Sequence, residues 1–272
     1  KISEQIKYVK VLWESFGTSE VVNAGDLIGS VRWHTPYICF TPGNTDKEGN
    51  ALIGAFDEND QLVWSWHIWV TDTPAEHQYK NGSDVVFGTF MDRNLGATNA
   101  TPGENNISGL IYQWGRKDPF LPSGDIRSGS AKMGGLDWNS TKSSETAGTI
   151  EYSVQNPTTF ITGVSPGYTW LHVANLGLWS NTKTIYDPCP AGWKVAESQL
   201  GSNIKDAEYT VVNNCVKLSY DRSGSNYAFY PLSGRLNFTT AAYEQEGSVG
   251  YIWSSNVAGN GSSYGFYFDV NS

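Results

Sequence analysis

The stretch Ala51–Val70 constrains the fold more than any other part of this chain. Two apolar runs flank the polar turn Asp57-Glu58-Asn59-Asp60. In the second run Leu62, Trp64, Trp66, Ile68 and Val70 recur with period 2 and share one face. Val63, Ser65, His67 and Trp69 share the other. Side chains that alternate in this way read as a β-strand, here with one dry face and one mixed face. Helical periodicity is nearly absent elsewhere. Tyr8–Trp13 and Ser30–Phe40 read as shorter strands punctuated by Pro36, Pro42 and Gly43, and Val85–Arg93 as another. Glu208–Leu218, Tyr227–Leu232, Ser248–Asn256 and Ser263–Val270 read as late strands. In the last, Tyr264, Phe266, Phe268 and Val270 alternate with Gly265, Tyr267 and Asp269. Ala196–Lys205 suits a short helix, with Ala196 and Glu197 in its first turn. The expected class is α+β, mostly β with irregular loops.

Between these strands, Gly96–Pro157 is rich in Gly, Ser, Thr and Asn and shows no regular pattern apart from an aromatic block at Leu110–Trp114. Loops this long are functional or are packed by their own side chains. Trp114, Trp138, Trp170 and Trp179 supply large apolar area for such packing.

Composition narrows the function classes. Only 17% of the 272 residues are charged, against the roughly 25% usual for soluble domains. There are 11 Trp, 15 Tyr, 11 Phe and 29 Gly, so Tyr, Asn, Ser, Thr and Gly supply polarity that charge does not. A net charge of −9 without a Lys or Arg cluster gives no electrostatic grip on nucleic acid. No apolar run approaches the roughly 18–20 residues of a transmembrane helix. Aromatic richness argues against disorder.

Most motif matches carry no chemistry. Gly163-Val164-Ser165-Pro166-Gly167 matches G-x-S-x-G, but a nucleophile elbow needs the N–H after the serine, and Pro166 has none. His67 reads as a hydrogen-bonded, half-buried strand histidine rather than a base or ligand, because no partner motif accompanies it. Asp92-Arg93-Asn94 reads as an ion pair and a turn that fix a loop. The oxygen donors Asp92, Asn94, Asn99, Glu104, Asn105 and Asn106 suit calcium in type but not in EF-hand spacing. No cofactor is expected, with calcium the minor alternative. Glu244 and Glu246 are too close in sequence to be the opposed carboxylates of a glycosidase. Cys39, Cys189 and Cys215 show no metal spacing. They allow at most one disulfide, with Cys189 and Cys215 the better pair and three buried thiols the alternative.

The C-terminal segment differs in kind. Asn237, Thr239, Tyr243, Glu244, Asn256, Asn260, Ser262 and Tyr264 are the expected ligand-contacting residues, on loops Asn237–Tyr243 and Asn256–Tyr264. Tyr gives contact area at low entropic cost, and Ser and Asn give adaptable hydrogen bonds.

Five stretches taken together carry a resemblance. They are Trp64-Ser65-Trp66-His67-Ile68-Trp69, Met91-Asp92-Arg93-Asn94-Leu95-Gly96-Ala97, Gly109 to Phe120, Ile185 to Val195 with its Cys189-Pro190-Ala191-Gly192-Trp193 core, and Gly250-Tyr251-Ile252-Trp253-Ser254-Ser255-Asn256. In this order, over Leu62–Ser272, the chain resembles surface, fimbrillin-associated proteins of gut Bacteroidetes that carry the Fibrobacter succinogenes major paralogous domain. The resemblance implies a C-type lectin-like domain over residues 85–272 and an N-terminal β portion over residues 1–84. Formylglycine-generating enzymes and the variable proteins of diversity-generating retroelements share that fold. It implies that the Cys-Pro-x-Gly-Trp segment leads to a second helix and that Trp-Ser-Ser opens the late strands. Ala196 stands where the family usually has Pro. The Glu-Pro-Asn, Gln-Pro-Asp and Trp-Asn-Asp triplets of calcium-dependent sugar-binding lectins are absent, so that activity is not expected.

The implied function is a non-enzymatic adhesin or pilus-tip module. It would sit at the cell surface or be secreted, anchored through a segment preceding Lys1, and bind a protein or glycan ligand. The Asn, Ser and Tyr codons of Asn237–Tyr264 suit adenine-directed diversification by a retroelement. A cysteine-dependent oxidase and a structural pilus subunit are the alternatives.

Overall fold

A computed structural model describes residues 2–81, 83–122, 138–163, 169–197, 209–221, 224–257 and 263–269. In chain order the elements begin with α1 (Ile2–Gln5), β1 (Tyr8–Ser15), β2 (Ile28–His34), β3 (Tyr37–Pro42), β4 (Gly49–Phe56) and β5 (Leu62–Val70). They continue with β6 (Glu76–Lys80), β7 (Val86–Met91), β8 (Asn139–Lys142), α2 (Ile150–Gln155) and β9 (Thr159–Thr162). The last are β10 (Tyr209–Val212), β11 (Cys215–Ser219), β12 (Tyr227–Pro231), β13 (Ser233–Leu236), β14 (Tyr243–Glu246), β15 (Val249–Val257) and β16 (Ser263–Asp269). The protein is mostly β, in small sheets. The described residues form two compact units, each built from separate stretches of chain.

The first unit comprises residues 1–71, 118–174 and 237–242. Its centre is the antiparallel sheet β1-β4-β5, with the β4–β5 hairpin turning at Asp57–Asp60 as the sequence pattern required. The Asp57 carboxylate ties that turn by accepting from the Asn59 and Gln61 N–H groups. Strand β4 is buried along its whole length. Ala51, Ile53 and Ala55 face one cluster with Val9, Phe16, Leu27 and Ile28, against which Trp64, Trp66, Ile68 and Val70 pack. The second face of the sheet is also covered. There Trp13 lies beside His67 and Trp138, and Trp138 contacts Phe120, which meets Phe160 edge-on.

Ser30–Phe40, with its Pro36 punctuation, forms the β2–β3 hairpin. Glu14, buried in β1, accepts hydrogen bonds from the N–H groups of Gly25, Leu27 and Ile28 at 2.8, 2.8 and 2.6 Å. One carboxylate thereby satisfies three backbone N–H groups where the chain enters β2. The region 96–157, expected to lack regular elements, contains β8 and α2. With β9 they make a βαβ crossover, and β8 and β9 pair in parallel. Thr149 caps α2 by accepting from the Tyr152 N–H at 3.1 Å.

The second unit comprises residues 72–117, 175–236 and 243–272. It holds the β6–β7 hairpin, the sheet β10-β11-β12 and the hairpins β13–β14 and β15–β16, all antiparallel. Tyr79, Leu218 and Ala228 form one core cluster with Phe87, Phe90 and Tyr230. Val216, Leu232 and Phe268 form another with Ile252. The tryptophans pack the loops as composition predicted. Trp114 and Trp179 are buried 5.7 Å apart between ring centroids, and their indole N–H groups donate to the carbonyls of Ser254 and Tyr186. Buried Asp187 organises the Cys-Pro-x-Gly-Trp loop. It accepts from the N–H groups of Cys189 and Val195 and from Lys183 Nζ. Beyond Glu197 the helix expected at Ala196–Lys205 lies outside the described residues.

Candidate functional site

The expected contact residues are drawn from both units. Asn237 and Thr239 belong to the first unit, in a turn, and Tyr243, Glu244 and Asn256 to the second. Asn237 is a turn maker. Its Oδ1 accepts from the Thr239 N–H and hydroxyl and from the Thr240 N–H. Tyr243, on β14, donates its hydroxyl to the Ser233 carbonyl at 2.7 Å within its own hairpin. Burial raises its phenol above the ordinary value. Asn256 is half-buried near the end of β15. Tyr264 falls in β16, and Asn260 and Ser262 lie outside the described residues.

What the second unit does assemble is an outward face on the β15–β16 hairpin. Period 2 and register set it. Ile252 and Phe268 point to the core, so Tyr251, Trp253 and Tyr267 point away from it. Tyr267 is 54% and Trp253 38% exposed. Tyr251 pairs across the ladder with Tyr267, their rings 5.2 Å apart. Trp253 pairs with Gly265, where an added Cβ would stand 3.5 Å from the indole Cε3. The glycine thus adds no side chain against that edge of the indole.

Hydrogen bonds fix these rings. Trp253 Nε1 donates to the Tyr112 carbonyl at 2.8 Å, Tyr267 donates to Asp269 at 2.6 Å, and Tyr251 donates to Gln245 at 3.1 Å. The Arg235 guanidinium lies 5.3 Å from the Tyr251 ring centre and pairs with Glu244 at 2.7 Å. Its position on β13 follows Gly234, whose φ of +65° disfavours a side chain. A Cβ there would meet the Glu244 carbonyl oxygen at 2.4 Å. Opposite it, Gln245 also has a positive φ, an outlier for a non-glycine residue. The hydrogen bond to Asp269, with some burial, holds the Tyr267 phenol up at about 12, so it remains a neutral hydroxyl donor.

Of the expected residues, Glu244 takes part in these contacts, through its pair with Arg235. Arg235, Tyr251, Trp253 and Tyr267 were missed. The signal that finds them is the strand alternation itself, which had already set Tyr267 opposite Phe268 in parity.

The other candidates resolve into structural roles. Arg93 pairs with Asp92 through Nε at 2.8 Å and reaches Asp72 at 2.6 Å, which fixes the loop after β7. In the acidic stretch that follows, Asn99 accepts from the Thr101 N–H and Asn106 donates to Thr98. Among the described residues no three His, Cys, Asp or Glu side chains gather as a metal cluster. His67 is a partly buried strand histidine bonded to Asn50 at 2.9 Å. Burial lowers its pKa to about 4, with Asp118 opposing, so the ring is neutral. Asp118 itself accepts from Ser65 at 2.6 Å.

Cys39, Cys189 and Cys215 are free thiols, so the Cys189–Cys215 disulfide is not formed. Cys189 is tied to Asp187 through its N–H, whereas Cys215 pairs with Val212 and Pro231 in its sheet. Burial and then Asp187 push the Cys189 thiol up, against a reactive thiolate. Of the G-x-S-x-G stretch only Gly163 lies among the described residues. No helix of the described residues is long and apolar enough to cross a membrane. Comparisons with family models, curated proteins and solved structures gave no match.

Proposed function

We propose that this chain is a non-enzymatic ligand-binding protein of the cell surface, an adhesin or pilus-tip module, built on a C-type lectin-like domain with an N-terminal β portion. The observation that carries this reading is the outward face of β15–β16, where Tyr251, Trp253 and Tyr267 are held in fixed positions without being buried. Rings immobilised at a surface present contact area whose ordering cost is already met, which is the property of a recognition surface. The bond from the Ser255 N–H to the Ala196 carbonyl, at 2.7 Å, ties the residues after the Cys-Pro-x-Gly-Trp segment to β15. This supports the lectin-like arrangement. The raised Cys189 thiol counts against the cysteine-oxidase alternative.

The test is an array of proteins and glycans probed with the purified chain, with and without EDTA. A ligand retained in EDTA and lost on Tyr267→Ala supports the reading. Binding that ignores Tyr267 and Trp253 places the ligand elsewhere. Retroelement diversification is a separate extension. It requires a near-identical template repeat and a reverse-transcriptase gene beside this one, and fails without them.

A further inference from the structure

The chemistry of the same face selects among ligand classes, and this step rests on the binding reading above. We propose that the β15–β16 face holds an uncharged carbohydrate, with sugar rings stacked on Trp253 and Tyr267 and sugar hydroxyls bonded to the polar groups beside them.

The rings come first. An aromatic face is electron-rich, and the C–H face of a sugar ring is apolar with partial positive charge at its hydrogens. Trp253 is 38% exposed, and Gly265 opposite it adds no side chain against the indole Cε3. Tyr251 and Tyr267 are inclined at 50°, so they form two facets rather than one flat plate. Such facets suit successive rings of a bent chain better than one broad apolar surface.

Charge comes second. Arg235 is paired with Glu244, and Tyr267 is bonded to Asp269. The face therefore has one guanidinium beside two carboxylates, in a chain of net charge −9. An acidic or sulfated ligand meets repulsion there, whereas a neutral polyol meets both donors and acceptors.

Size comes third. A stable protein partner covers roughly 800 Å2 and 20–30 residues a side. Among the described residues the face is one hairpin with a few neighbouring side chains, the scale of a short oligosaccharide.

The test is affinity electrophoresis of the whole chain, in EDTA, through gels cast with mannan, xylan, mixed-linkage β-glucan or heparin. Retardation by at least one neutral polymer and none by heparin is expected. Tyr267→Ala should weaken it by about tenfold, and Tyr267→Phe by less. Because Trp253 also bonds Tyr112, Trp253→Ala is read beside its thermal unfolding, and exposed Tyr267 keeps the test independent of folding. No retardation by any neutral polymer, retardation by heparin alone, or retardation indifferent to Tyr267→Ala overturns the proposal. A protein ligand from the array that is lost with Tyr267→Ala would overturn the carbohydrate class and leave the binding face standing. Binders of neither class would overturn both.

Discussion

Strand β4 in the first unit is buried at every position, whereas the β15–β16 hairpin in the second turns Ile252 and Phe268 inward and Trp253 and Tyr267 outward. Both regions spend aromatic residues freely. Around β4 the rings of Trp13, Trp64 and Trp66 cover a sheet on its two faces, and their burial is sufficient reason for their presence. On β15–β16 the outward rings remain exposed yet are held by hydrogen bonds at their polar edges. Burial explains the first set and does not explain the second. The comparison separates residues that make the fold from residues that the fold displays.

The comparison breaks first at its buried end. Glu14→Ala leaves the N–H groups of Gly25, Leu27 and Ile28 without their acceptor, at a cost of about 4 kcal/mol. Chemical denaturation should show that loss. A change under about 1 kcal/mol would mean that water replaces the carboxylate easily.

The next effect is acid sensitivity. Unfolded His67 takes up a proton near pH 6.5, but the folded ring does so only near pH 4. Protons therefore favour the unfolded chain in that window. The stability present above pH 6.5 falls by roughly 3 kcal/mol as pH drops toward 4, then levels off. Denaturation midpoints of the parent and His67→Gln across this range should converge as the parent loses its advantage. Parallel curves would show that His67 does not titrate as described.

The smallest stability effect belongs to the displayed face. Tyr267→Ala removes an exposed ring and a surface hydrogen bond, and should shift stability by no more than about 0.5 kcal/mol.

How much of this was legible in the sequence follows from the same distinction. The β4–β5 hairpin was readable because its alternation is long and its turn is acidic and polar. Ser30–Phe40 read as strand, but the chain turns back at Thr35-Pro36 and makes two strands of it, β2 and β3. The βαβ crossover was not. Its strands, Asn139–Lys142 and Thr159–Thr162, are four residues each and show no apolar alternation, and α2 has only six. At the C-terminus β12, β15 and β16 were readable, whereas Glu208–Leu218 turns at Asn213-Asn214 into β10 and β11 and the β13–β14 pair was not foreseen. Composition drew attention to Asn, Ser and Thr in the turns. Asn237 shows why that misleads, since the oxygen that looks available for a ligand instead builds its own turn. The displayed rings lie in the regular part of the register, Tyr251 to Trp253 against Gly265 to Tyr267, and the irregularity that residue types do not reveal falls beyond them, between Trp253 and Val257.

The central claim is that Tyr267 and its neighbours serve recognition rather than folding. The most direct measurement takes unfolding stability and ligand affinity from one preparation of Tyr267→Ala, using whichever glycan or protein the array identifies. The account predicts unchanged stability with affinity lowered by about tenfold. Unchanged affinity, or a loss of binding that merely follows a loss of stability, would contradict it.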